Sequence, residues 1–212
     1  MALPTTPAPP APFDPLTETL LADTRLWRVH DLRREGDSYN DTGSMGRFRP
    51  IPLENGRFVP TAYVGDSPDA AISETAFHDL PVTASTKTLS RSITDGLMLS
   101  PLTCARELIL ISLRGHGLRR LGVTHGSLIE VVPPAYAGTV AWGSAAYAHE
   151  PEADGMVWMS RQFSGGAAML LFGDRVGNSL RVDGDPLPLA SGQGFEVLTV
   201  AANRAGVALI AP

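Results

Sequence analysis

Glycine and proline interrupt this chain so often, 21 and 18 times in 212 residues, that many short elements joined by turns are expected in place of long helices. Between the breaks, two stretches give firm local signals. Leu108-Ile109-Leu110-Ile111-Ser112-Leu113 is a nearly continuous apolar run of strand length, the pattern of a buried strand. Ser67-Pro68-Asp69 is a helix start: Ser67 can cap, proline suits the first helical position, and Asp69 complements the positive end of the helix dipole. That start directly follows Arg57 to Gly65, whose Phe58, Val59, Tyr63 and Val64 predict a strand. A strand–turn–helix unit results, with the helix expected to run to about His78 or Leu80.

Further strands are predicted at Leu26 to His30, Met156 to Met159, Ala167 to Phe172 and Val207 to Ile210, and helices at Tyr136 to His149 and Gly194 to Arg204. Asp14-Pro15 followed by Leu16, Leu20 and Leu21 predicts a brief helix. The Ser- and Thr-rich residues 81 to 107 predict a long loop with room for one helical piece. Six prolines fall within residues 1–15, so this segment is expected to be a mobile, extended tail, and residues 16–212 a single catalytic domain. A chain of 22.5 kDa supports one well-buried core. Strands and helices mix without regular alternation, which predicts an α+β fold: one compact domain with a split or curved mixed sheet.

Several functions are disfavoured at this level. A net charge of −5 and a pI near 5.5 argue against direct nucleic-acid binding, which concentrates Lys and Arg to displace counterions from phosphates. No stretch has the roughly 18 apolar residues of a membrane helix, and Met1-Ala2-Leu3-Pro4 lacks the basic start of a secretory signal, so a cytoplasmic protein is expected. Cys104, the lone cysteine, reads as a small buried hydrophobe, and the five histidines lack ligand spacing, so no metal is predicted. Gly115-His116-Gly117 starts like a dinucleotide fingerprint, but the next glycine, Gly122, comes two places late. Neither a phosphate-binding P-loop nor a GxSxG elbow occurs.

Three islands remain. In Leu26-Trp27-Arg28-Val29-His30, strand alternation puts Arg28 on the face shared by Leu26 and His30, from which it can point into a cleft. In the 67–80 helix, Ile72, Ala76 and Leu80 form the core stripe and Glu74 projects from another side, an edge position expected to contribute little to the core. The third is Gly155-Met156-Val157-Trp158-Met159-Ser160-Arg161. Their order and settings resemble the RES-domain family, named for Arg, Glu and Ser, over roughly residues 26 to 176. Gly46-Arg47-Phe48-Arg49-Pro50 resembles the family's Gly-Arg-Trp-Asn-Pro stretch, and Thr61-Ala62-Tyr63-Val64 the strand carrying its tyrosine.

The resemblance implies an ADP-ribosyltransferase-like fold, NAD as substrate, and a partner antitoxin with a helix-turn-helix DNA-binding domain. Carried over, Arg28 and Arg47 would bind phosphates or ribose, and Tyr63 would pack near nicotinamide. Glu74 would support the transition state, and Ser160 would orient the ribose or the glutamate. Cleaving the nicotinamide–ribose bond builds positive charge on the ribose, which a nearby carboxylate stabilises without a metal. The resulting expectation is a toxin that degrades NAD, passing ADP-ribose to water or phosphate. The alternatives are a protein mono-ADP-ribosyltransferase toxin and a non-catalytic NAD-binding or interaction module. Trp142 and Trp158 are candidates for a self-association surface if exposed, and for the core if buried.

Overall fold

The computed structural model describes residues 6–81 and 83–211. In chain order the strands and helices are β1 (Thr17–Leu20), β2 (Arg25–Asp31), β3 (Thr61–Gly65), α1 (Pro68–Thr75), β4 (Lys87–Ser90), β5 (Leu97–Cys104), β6 (Leu108–Ser112), α2 (His116–Arg120) and α3 (His125–Leu128). There follow α4 (Tyr136–His149), β7 (Gly155–Met159), β8 (Ala167–Phe172), α5 (Gly173–Val176), β9 (Leu180–Val182), β10 (Leu187–Pro188), α6 (Gly192–Ala205) and β11 (Val207–Ile210). One mixed sheet has the order β1-β6-β7-β8-β3-β2-β5-β10, with β9 also on β5, and β4 pairs with β11 in a small parallel sheet. The predicted α+β fold with a split mixed sheet is the one found, because the ladder nearly parts between β2 and β3. Among the described residues these two strands share one pair, Trp27 with Gly65.

Strand β8 shows how the sheet organises the interior. Ala168, Leu170 and Phe172 point into a core shared with Phe48, Trp142, Trp158 and Met156, whereas Ala167, Met169 and Leu171 point into a second core with Leu26, Leu102, Leu108 and Leu110. A third core lies where α1 and α6 cover β2 and β5, around Val29, Ile72, Leu99 and Leu198. Trp142 and Trp158 are fully buried, which removes the basis for reading them as a self-association surface. Cys104 is buried, and burial pushes its thiol up to about 11. Among the described residues no helix is long and apolar enough to cross a membrane.

Two local expectations are corrected. Residues 17–20 form β1, antiparallel to β6, rather than a helix: the leucine spacing suits a helix turn, but the exposed edge of β6 supplies a ladder that outweighs so short a local preference. Within 81–107, β5 is a central strand instead of loop. Its Pro101 is a breaker signal, yet the Pro101 carbonyl accepts from Asp183 N between β9 and β10, so the N–H that proline lacks falls at the break between those two short strands. The described part of the proline-rich segment, from residue 6, is extended but held down: Phe13 is buried against Trp142, whose Nε1 donates to the Pro7 carbonyl at 2.7 Å. Arg120 adds a further hold, donating Nε to the Asp14 carbonyl at 2.9 Å and pairing with the Asp14 carboxylate. The expectation for residues 1–5 lies outside the described residues.

Candidate active site

Continuing the β2–β3 ladder from its single pair would join Val29 to Tyr63 and Asp31 to Thr61, and those four residues instead line a cavity of about 520 Å³. The volume is in the range of small-molecule sites. Arg28 and His30 reach it from β2, Tyr63 from β3, Glu74 from α1, and Arg47 and Arg49 from the 36–56 loop. The split in the sheet is therefore what makes room for the site.

Glu74 is the most constrained group on the wall. Ser67 caps α1 by accepting from Ala70 N at 3.2 Å, as its sequence predicts, and the helix then delivers Glu74 near its C-terminal end. Arg47 Nη1 donates to Oε2 at 2.9 Å, and Oε1 accepts from Ser160 Oγ at 2.8 Å and Arg161 N at 2.9 Å. The side chain is 8% exposed, so Glu74 is not the weakly packed edge residue expected from helix periodicity; the loop carrying Arg47 and the turn after β7 close over it. Burial by itself pushes the carboxyl up, but the Arg47 guanidinium, the Ser160 hydroxyl and the Arg161 amide together outweigh it and hold Glu74 below its ordinary value. Ser160, itself buried, lies behind Glu74 instead of on the cavity wall.

The arginines are held by other means. Arg28 Nη1 donates to the carbonyls of Gly36, at 2.9 Å, and Ser38. Burial, with Arg34 nearby, lowers Arg28 to about 10, so it stays charged at neutral pH. Arg49 lies over the Tyr63 ring, 5.7 Å from its centre, and Arg47 lies 6.0 Å from the Tyr136 ring and 5.9 Å from that of Trp158. The Tyr63 hydroxyl, raised by burial, accepts from Phe48 N at 3.3 Å. Arg47 Nε and Nη2 and Arg49 Nε are buried without a hydrogen-bond partner. Buried guanidinium donors are costly to leave unpaired. All three atoms belong to arginines on the cavity wall, so the positive charge there is concentrated in one place.

Arg28, Arg47, Tyr63 and Glu74 thus share one cavity, and Ser160 joins them through Glu74. Both arginines of the Arg47-Phe48-Arg49 stretch face it. His78 and Tyr136 also line the cavity, and sequence reasoning did not single them out: His78 was one histidine without partner spacing, and Tyr136 one aromatic at the start of a helix. The usable signal was in α4 itself. Its Gly143 sits against the Arg47–Phe48 backbone, where a Cβ would lie 2.1 Å from the Phe48 carbonyl oxygen, and Thr139 Oγ1 donates to the Arg47 carbonyl. A glycine inside a helix costs about 1 kcal/mol against alanine, so its presence there marks a close approach. Gly143→Ala is expected to displace the Arg47 loop and destabilise the protein by about 1–3 kcal/mol, read as a lower midpoint in thermal or urea unfolding.

Among the solved structures that resemble this chain is the crystal structure of the M. tuberculosis MbcT–MbcA toxin–antitoxin complex, one chain of which aligns with a TM-score of 0.61 and 17% identity, covering 87% of this chain and 92% of that one. At that identity the likeness is one of fold. The family model for the RES domain matches residues 25–190, a span that takes in all five predicted site residues. The chain belongs to the RES-domain family. Comparison with curated protein sequences yields no match.

Proposed function

We propose that the cavity binds NAD as substrate and that the protein is a toxin cleaving the nicotinamide–ribose bond, with ADP-ribose passed to water or phosphate. The observation that carries this reading is a buried carboxylate, held ionised by three donors, beside guanidinium N–H groups that have no partner. In the cleavage, nicotinamide leaves with the bonding electron pair and positive charge grows on the anomeric carbon and ring oxygen. A carboxylate already fixed by Arg47, Ser160 and Arg161 stabilises that charge without having to reorganise, which is where fixed electrostatics contributes most. Arg28, Arg47 and Arg49 supply charge-assisted hydrogen bonds to the diphosphate, each contributing about 1.5–3 kcal/mol. Tyr63 offers a ring face for nicotinamide, and Ser160 orients Glu74 rather than the ribose.

The likeness to a toxin–antitoxin complex supports a partner antitoxin, and we propose that this partner carries a helix-turn-helix DNA-binding domain and covers the mouth of the cavity. The purified protein incubated with NAD should release free nicotinamide in step with NAD loss. Intact NAD after prolonged incubation would contradict the proposal.

A further inference from the structure

Tyr136, His78 and Asp79 line the same cavity as Glu74, and the reading above leaves them without a task. The Tyr136 hydroxyl lies 2.6 Å from His78 Nε2, and His78 Nδ1 lies 2.8 Å from the Asp79 carboxylate. An ionised carboxylate only accepts, so Nδ1–H donates to Asp79 and Nε2 is left to accept from the tyrosine. Exposure rises along this chain of groups: Tyr136 is 4% exposed, the His78 side chain 22% and that of Asp79 81%. The three side chains thus connect the buried wall to solvent. Gln162 Nε2 donates to the carbonyls of His78 and Leu80 at 3.0 and 2.9 Å, so the turn that fixes Glu74 through Ser160 and Arg161 also fixes the backbone of His78. Arg47 stands between the two clusters, bonded to Glu74 and facing the Tyr136 ring.

Glu74 is poorly placed to act as a base, because three donors occupy it and it is held below its ordinary value. A water that attacks the ribosyl cation must nevertheless lose a proton. Building on the NAD-cleaving reading, we propose that Tyr136 and His78 form a relay that takes the proton from the acceptor of ADP-ribose and passes it to solvent past Asp79. As the acceptor oxygen bonds to the anomeric carbon, its proton moves to Tyr136 Oη and the Tyr136 proton moves to His78 Nε2. The imidazolium is held by Asp79 until its proton goes to bulk water. Nicotinamide leaves neutral with the former glycosidic electron pair, so NAD and water give nicotinamide, ADP-ribose and one proton. The charged groups around the relay are Asp79 beside His78, and Arg47, Arg161 and Glu74 around Tyr136.

The test compares His78→Gln and Tyr136→Phe with the unmodified protein in nicotinamide release from about pH 5 to 9, with and without azide, an anion that attacks without giving up a proton. Both variants should lose about 10²-fold in turnover with water and recover with azide as ADP-ribosyl azide forms. Glu74→Gln should not recover. Unchanged rates and pH profiles in variants of an otherwise active enzyme would overturn the relay alone, as would azide failing to restore a variant that melts like the unmodified protein. An unmodified protein that leaves NAD intact would overturn the reading of the site and the relay together.

Discussion

Glu74→Gln should lower nicotinamide release by on the order of 10³-fold, about 4 kcal/mol of transition-state stabilisation, with a much smaller effect on NAD affinity. Glutamine keeps the shape of the side chain and can still accept from Ser160 and Arg161 through its carbonyl oxygen. It cannot supply the negative charge that matches the ribosyl cation, and its amide meets Arg47 Nη1 donor to donor. Because the charge develops only as the bond breaks, the loss belongs in kcat rather than in substrate binding. Steady-state kinetics on the purified variant separates the two. A fall in affinity with kcat unchanged would mean that Glu74 only binds.

Arg47→Met should be the most destabilising of these substitutions, by about 3–5 kcal/mol at neutral pH, since it strips a buried carboxylate of its counter-charge while leaving that carboxylate in place. The pH dependence gives the sign. In the unmodified protein Glu74 sits below its ordinary value of 4.5, so its contribution to stability is fully present above that value and is lost as pH falls through the lower folded value. In Arg47→Met the dominant remaining influence is burial, which raises the carboxyl, so protonation relieves the variant at a pH where the unmodified protein is unaffected. The gap between the two melting temperatures should therefore narrow as pH is lowered from 7 toward about 5. A gap that stays constant would mean that Arg47 stabilises by packing alone. NAD turnover should fall as well, because Glu74 loses the guanidinium that fixes its carboxylate.

What the sequence made legible was local or periodic. Ser67-Pro68-Asp69 fixes the start of α1 because capping chemistry acts within one turn, and α4, β8 and β11 were read with the boundaries they have, since each is a strongly patterned run between breakers. Family pattern then singled out Arg28, Arg47, Tyr63, Glu74 and Ser160. What stayed hidden depends on partners distant in the chain. The Arg47–Glu74 pair spans 27 residues, and its burial depends on α4 closing over the loop at Gly143. Strand β5 was masked by the Ser- and Thr-rich composition of residues 81–107, and the tolerance of its Pro101 follows from the break between β9 and β10. Leu16, Leu20 and Leu21 offered a helical spacing that the edge of β6 overruled. The His78–Tyr136 bond joins residues 58 apart, and no spacing rule anticipates it.

The central claim, that one cavity at the split between β2 and β3 presents the NAD ribose to Glu74 and its diphosphate to the arginines, is tested most directly by a crystal structure of Glu74→Gln with NAD. The expected result places the anomeric carbon in van der Waals contact with residue 74 and the diphosphate within hydrogen-bond distance of Arg47 and at least one of Arg28 and Arg49. NAD bound elsewhere on the surface, or in the cavity with its nicotinamide ribose pointing away from residue 74, would contradict it.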